Sequence, residues 1–234
     1  MTGDRSEPNW HRRRANSEGL APAVAAEAYD RIGRLQDTQA PFERPALDRL
    51  VAAGDFEHAN AVFELGCGTG SLARRLHRDK LPPGCSYLGG DVSARMVGLA
   101  RERVVAWADR AKILHLDGSL PLPVPDGSFD RFVATYVLDL LDSDYARRIL
   151  DNAHRLLLPG GRLCLSSLTS GQSRVGRAVA RAWSALWLFA PRIVGGCRPI
   201  DITELLNPAQ WSILENTTVE SWGFPSQVLV ATAL

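Results

Sequence analysis

Cysteine is scarce in this sequence: Cys67, Cys85, Cys164 and Cys197 are the only four in 234 residues. No two form a C-x-x-C pair, which argues against a structural zinc site. So few in so long a chain argue against a disulfide framework. Long apolar runs are absent too, and nothing approaches the roughly 18 apolar residues of a membrane span. The opening stretch MTGDRSEPNWHRRRANSEG lacks the apolar core of a secretory signal. These absences predict a cytoplasmic protein in a reducing compartment, with no metal site. An excess of one charge is also missing, since 27 Lys+Arg face 26 Asp+Glu for a net charge of +1. Arg5, Arg12, Arg13 and Arg14 against Asp4 and Glu7 give the first 14 residues +2, which leaves −1 for the rest. A near-neutral body lacks the broad basic footprint of a nucleic-acid binder. A small-molecule partner is expected instead.

What is present is ordinary for a globular domain: 45% hydrophobic and 23% charged residues. The length fits one domain. We read residues 1–20 as a disordered tail and 21–234 as one domain, with cap elements at about 21–45 and 173–198. Short β-like runs occur at 61–65, 86–89, 111–116, 131–135 and 162–168. Helical patterns lie between them. Val97, Ala100, Val104 and Trp107 recur at helical steps behind Ser93, and Ala146, Ile149, Leu150, Ala153 and Leu157 do so behind Ser143. Pro159-Gly160-Gly161 stops the second pattern. Alternating strands and helices predict βαβ units and a parallel sheet covered on both faces. Two late extended runs, 212–219 and 227–233, predict a terminal antiparallel pair joined by a turn containing Gly223 and Pro225.

The first strand runs into Glu64-Leu65-Gly66-Cys67-Gly68-Thr69-Gly70. Glycines at this edge of a doubly wound sheet let the backbone approach a ligand closely. The dinucleotide fingerprint needs glycine at 71, where this chain has Ser71. Glu64 would repel a pyrophosphate, and suits a ligand carrying an ammonium or sulfonium charge.

The segment E-L-G-C-G-T-G resembles the first motif of the class I S-adenosylmethionine-dependent methyltransferases. The resemblance continues through Gly90-Asp91-Val92-Ser93-Ala94-Arg95-Met96, Asp117-Gly118, Phe129-Asp130 and Leu158-Pro159-Gly160-Gly161. These ordered motifs cover about residues 60–168. They look most like the small-molecule branch that includes the ubiquinone and menaquinone methyltransferases. The resemblance implies a Rossmann-like doubly wound α/β sheet of seven strands. That sheet is mostly parallel with an antiparallel terminal strand, and carries a small helical cap. It also implies S-adenosylmethionine as cofactor, S-adenosylhomocysteine as product, and a small, partly apolar acceptor methylated on O, N or C. A non-catalytic binding or scaffold protein on the same fold is the alternative.

The residues it singles out for the cofactor are Tyr29, Glu64, Gly66, Cys67, Gly68, Asp91, Val92, Met96, Asp117, Gly118 and Thr135. Asp91 is expected to accept from the ribose hydroxyls or to cap the helix that follows, and Asp117 to accept from the adenine amine or to be a turn residue. Met96 is expected either on the adenine face or in the helix core. Tyr29 is expected over the methionine end or in helix packing. At the carboxyl end of the fourth strand, Asp139 can serve as a base, hold a cationic acceptor, or be a capping carboxylate. Tyr136 beside it can orient the acceptor or simply pack. None of the five histidines lies beside the expected methyl position. In the insertion, Val175, Ala178, Val179, Ala182, Leu186 and Phe189 follow helical spacing next to Arg174, Arg177 and Arg181. This stretch reads as a cap over the acceptor pocket or as a basic amphipathic helix at a membrane surface through 174–190. Trp183, Trp187 and Arg198 are its candidate acceptor contacts. The oligomeric expectation is a monomer or homodimer.

Overall fold

The computed structural model describes Gly19, residues 21–189 and residues 196–234. Except for Gly19, the tail expected at 1–20 lies outside the described residues, as do residues 190–195 of the insertion.

Seven strands are β1 (Ala61–Leu65), β2 (Ser86–Asp91), β3 (Ala111–His115), β4 (Phe129–Thr135), β5 (Leu157–Leu168), β6 (Trp211–Ser221) and β7 (Phe224–Ala233). They form one sheet in the order β3-β2-β1-β4-β5-β7-β6. β1 to β5 are mutually parallel, and β7 runs antiparallel to both its neighbours. The helices are α1 (Pro22–Ile32), α2 (Ala40–Ala53), α3 (Ser71–Asp79), α4 (Ala94–Arg103), α5 (Ser143–Leu156) and α6 (Arg174–Phe189).

Alternation along the strands builds two cores. Phe63, Leu65, Phe132, Leu163 and Leu229 face one side and pack with Ala146, Ile149 and Leu150 of α5. Val62, Val133, Cys164, Val228 and Val230 face the other side, against Leu50 of α2, Leu76 of α3 and Val97 of α4. A period of two on strands buried on both faces produces this division.

Local details differ from the sequence expectations in instructive ways. The helix predicted at 93–107 ends at Arg103, and a 3₁₀ turn takes Val105–Trp107. The second helix is capped by Asp142, whose side chain accepts from the Tyr145 N–H at 2.8 Å, so Ser143 is already helical. An aspartate is at least as good an N-cap as the serine after it. β5 starts directly at Leu157, pairing with Phe129, and the register then slips before Arg131 meets Arg162. Pro159-Gly160-Gly161, expected to stop the helix, therefore lies in an irregular stretch within the strand, the helix having ended at Leu156. The last hairpin turns on Trp222 and Gly223, with φ of 52° and 82°. Two successive positive φ values match the twist of a tight hairpin. Pro225 belongs to the strand rather than the turn.

The glycine loop leaves β1 with Gly66 at φ 68°. A Cβ there would sit 2.4 Å from a Val137 methyl, so the β1 and β4 ends come this close only with glycine. Gly70, the cap of α3, would put a Cβ 2.9 Å from Ala100 Cα, which fixes how tightly α3 meets α4.

Candidate active site

The carboxyl ends of β1, β2 and β4 open onto a cleft whose empty space, counted out into open solvent, is about 770 Å³. Gly66, Gly68, Asp91, Val92 and Gly118 line it together with Tyr29, Thr135 and Tyr136. One end is apolar, walled by Leu116, Leu122 and Ile149. The other end adjoins a second, more polar cleft of about 1600 Å³ between α2 and α3. The two share Gln36, Gly66, Gly68, Thr135 and Tyr136. The second cleft also meets Glu43, Glu64, Cys67 and the rim arginines Arg44 and Arg74.

Asp91 ends β2 with both oxygens on the backbone: Oδ2 accepts from Gly68 N–H at 2.8 Å and Oδ1 from Ser93 N–H at 2.9 Å. It thus holds the glycine loop in place. Each carboxylate oxygen can take a second donor, so capacity for ligand hydroxyls remains. Ser93 caps α4, accepting from Met96 N–H at 3.1 Å. Burial raises the Asp91 carboxyl, against the pull of the two N–H groups.

Glu64 is 2% exposed and accepts from the Tyr87 hydroxyl. Burial pushes it up to about 8, opposed by the Tyr87 bond and assisted by the Asp91 charge. A ligand cation at this wall would favour the ionised carboxylate. Gln36 adds a second acceptor. Its Oε1 is buried without a hydrogen-bond partner, beside Gly68.

Tyr136 follows β4 at φ 54°, a costly conformation for a bulky residue. It is held there by its own N–H donating to Ser166 C=O at 2.7 Å and by a 2.7 Å bond between its hydroxyl and Ser226 Oγ. Burial raises the phenol further, so it stays a neutral hydrogen-bonding group. Its ring lines both clefts.

Several sequence-predicted residues lie elsewhere. Met96 is fully buried and lines neither cleft, because the phase of α4 turns it into the helix core. Val92, four residues earlier, takes the cleft wall. Asp117 is exposed and folds onto Ser119, accepting from its N–H at 2.8 Å and its hydroxyl at 2.6 Å. Gly118 reaches the cleft instead. Asp139 is 0% exposed and lines neither cleft. Its Oδ2 accepts from Leu168 N–H at 2.8 Å, and burial pushes the carboxyl up to about 7. A side chain enclosed this way braces the loop after β4 and does not meet an acceptor. Trp183 and Trp187 line neither cleft. Their indole N–H groups donate to Cys197 C=O and Gly196 C=O, each at 2.9 Å. Arg198 donates to Leu141 C=O at 3.0 Å, and its N–H to Asp139 C=O at 3.0 Å. All three fasten the return of the insertion.

Glu43 and Gln36 were missed. Glu43 lies in the first turn of α2 and is half-buried in the second cleft. Burial and the nearby Asp139 charge push it up to about 7. Both residues precede every glycine motif, in a segment with no spacing signal, and only the fold brings them to the loop.

The cleft fits S-adenosylmethionine on its own terms. It offers an apolar end for a base and a buried carboxylate over a glycine loop for ribose, and at the shared glycine wall it adjoins Glu64 of the second cleft and the orphaned Gln36 oxygen, which suit cationic groups. Residues 62–161 match the family described as methyltransferase domain. Together with the sheet order and the cleft, this match makes residues 62–161 similar to a class I S-adenosylmethionine-dependent methyltransferase domain. Among curated proteins it is similar to the demethylmenaquinone methyltransferase of Thermus thermophilus, 31% identical over 59% of this chain and 60% of that protein. It is also similar to the tRNA N(3)-methylcytidine methyltransferase Mettl2 of Drosophila melanogaster, 32% identical over 52% of this chain and 38% of that protein. The chain thus spans about half the length of these relatives. In solved structures the fold recurs in the [4+2]-cyclase SpnF, with TM-score 0.71 and 18% identity over 93% of this chain and 98% of that one. It recurs again in the N-methyltransferase NodS of Bradyrhizobium japonicum bound to S-adenosylhomocysteine, with TM-score 0.67 and 21% identity over 89% and 98%. A likeness at this identity concerns the fold alone. Among the described residues no cluster of three potential metal ligands occurs, and no helix is long and apolar enough to cross a membrane.

Proposed function

We propose that this chain methylates a small, partly apolar acceptor seated in the second cleft, using S-adenosylmethionine whose nucleoside lies in the first and whose amino-acid end crosses the shared glycine wall toward Glu64. The observation that carries this reading is the wall common to both clefts, where Gly66, Gly68, Thr135 and Tyr136 separate a nucleoside-shaped space from a polar one. The cofactor supplies a methyl group on a positively charged sulfur, already activated for displacement. The protein's work is then positioning, exclusion of water and proton handling. Tyr136, fixed by Ser166 and Ser226, orients the acceptor. As the acceptor's O–H, N–H or C–H atom forms its bond to the methyl carbon and the S–C bond breaks, the lost proton goes to Glu43. Among the described residues of the polar wall, Glu43 is the one carboxyl that is partly exposed and raised to about 7. A base with that value is matched to neutral pH.

Similarity to demethylmenaquinone methyltransferases supports an apolar acceptor, and the near-neutral charge of the chain favours a small molecule over RNA. A labelled-methyl screen over metabolites and tRNA tests the class. Once an acceptor is found, Glu43→Gln is expected to lower kcat by about 100-fold while leaving S-adenosylhomocysteine affinity intact. It should also abolish a rise in rate through pH 7. Wild-type kcat in this variant would remove Glu43 from the chemistry.

A further inference from the structure

We propose that α6 and the β6–β7 turn together form a docking surface for an anionic lipid membrane. The stretch Arg174–Phe189 contains three arginines and no acidic residue. Its inner face is Gly176, Ala180, Trp183 and Trp187, buried or half-buried against the protein. The apolar stripe read from the sequence is not that face. Val175 is 64% exposed, Leu186 40%, and Ala178 and Ala182 are exposed between them. Arg174, Arg177 and Arg181 are exposed along one edge of this stripe. The helix therefore presents an apolar strip bordered by cations, with Glu220 as the one carboxylate beside its first turn, as interfacial helices present an apolar face edged by cations.

A second element extends the patch. Trp222 is 88% exposed at the hairpin tip. Neighbouring Gly223 comes so near α6 that a Cβ on it would lie 3.1 Å from Val175 and 3.2 Å from Val179. The arrangement is fastened from below. Glu220, two residues before Trp222, accepts from the N–H groups of Gln172 and Ser173 at 2.6 and 2.9 Å and from the Ser173 hydroxyl, just ahead of α6. The exposed tryptophan is thus held beside the helix. An indole is amphipathic and settles at lipid headgroup depth, while arginines are drawn to anionic headgroups. A second copy of this chain would bring three more cations to the same edge. Charge complementarity therefore selects the anionic surface as occupant.

The test is co-sedimentation of the full chain with vesicles of phosphatidylcholine alone or mixed with phosphatidylglycerol. No cofactor or acceptor is added, so the result is independent of the methyl-transfer reading. Binding is expected only to the mixed vesicles, weakening at least tenfold on raising salt from 0.05 to 0.5 M. Trp222→Asn, which tolerates the positive φ, and Arg174→Gln/Arg177→Gln/Arg181→Gln are each expected to cut it at least tenfold with unchanged melting temperature. Brominated lipid should quench tryptophan fluorescence in the wild type and less in Trp222→Asn. Four results would each overturn the proposal. They are no binding to either vesicle, equal binding by the variants, a dimer that Trp222→Asn dissociates, or retention of RNA in place of vesicles.

Discussion

Two buried carboxyls, Asp139 and Glu64, set the behaviour of single residues in this protein. Asp139 carries a raised value of about 7 because it is fully enclosed. An unfolded aspartate has a pKa of about 3.9. Between those two values the native state binds more protons than the unfolded one. Stability therefore falls as pH rises through that window, and the loss is complete above pH 7. Asp139→Asn lacks this loss, and its amide oxygen can still accept from Leu168 N–H. Its melting temperature relative to wild type is expected to climb from pH 5 to 7.5, by up to about 1.4 kcal/mol of stability per pH unit. A constant difference over that range would show that the carboxyl is not buried in this way. Glu64 makes the complementary case, with a raised value of about 8. A cofactor ammonium needs the ionised form, so binding below pH 8 must expel a proton. Affinity for S-adenosylhomocysteine is expected to rise from pH 6 to 8, by at most about tenfold per unit, and then to level off. Glu64→Gln should bind more weakly and with no such slope. A slope that survives the substitution would assign it to another group.

Elements show where sequence reading succeeds and where it stops. β1 was legible to the residue because Ala61–Leu65 is a short apolar run ended by a glycine loop, and no tertiary contact is needed to recognise it. α6 was legible as a helix but not in its orientation. Two stripes on it are apolar, and the one with the tryptophans is buried because their indole N–H groups find carbonyls at 196 and 197. Of the two places open to Met96 the structure shows the helix core, since a single turn of helix phase decides between cleft and core. Asp117, open in the sequence between the adenine amine and a turn, has one carboxylate oxygen engaged by a local turn onto Ser119. The role now given to α6 has a direct check. Trp183→Phe keeps the edge contact with Phe224, at 5.6 Å between ring centroids, and removes only the N–H donated to Cys197. A loss of about 1 kcal/mol is expected, with faster thiol labelling of Cys197 by a maleimide. Unchanged labelling would mean that the indole does not hold the return of the insertion.

At the scale of the whole molecule, the order β3-β2-β1-β4-β5-β7-β6 brings the ends of β1, β2 and β4 together, and motifs separated by dozens of residues become one wall. The cofactor side of that wall was largely readable, because glycines and the carboxylate ending β2 have fixed offsets from strand ends. The acceptor side was not, because Gln36 and Glu43 come from segments before the sheet whose only signal is where the fold carries them. The account stands or falls on the first cleft. Titration calorimetry of folded protein with S-adenosylhomocysteine is the most direct measurement of it. Binding in the micromolar range is predicted, about −8 kcal/mol, weakened by about 1.5–3 kcal/mol in Asp91→Asn, the scale of hydrogen bonds to a charged group. Folded wild-type protein that gives no heat with this ligand or with S-adenosylmethionine would contradict it.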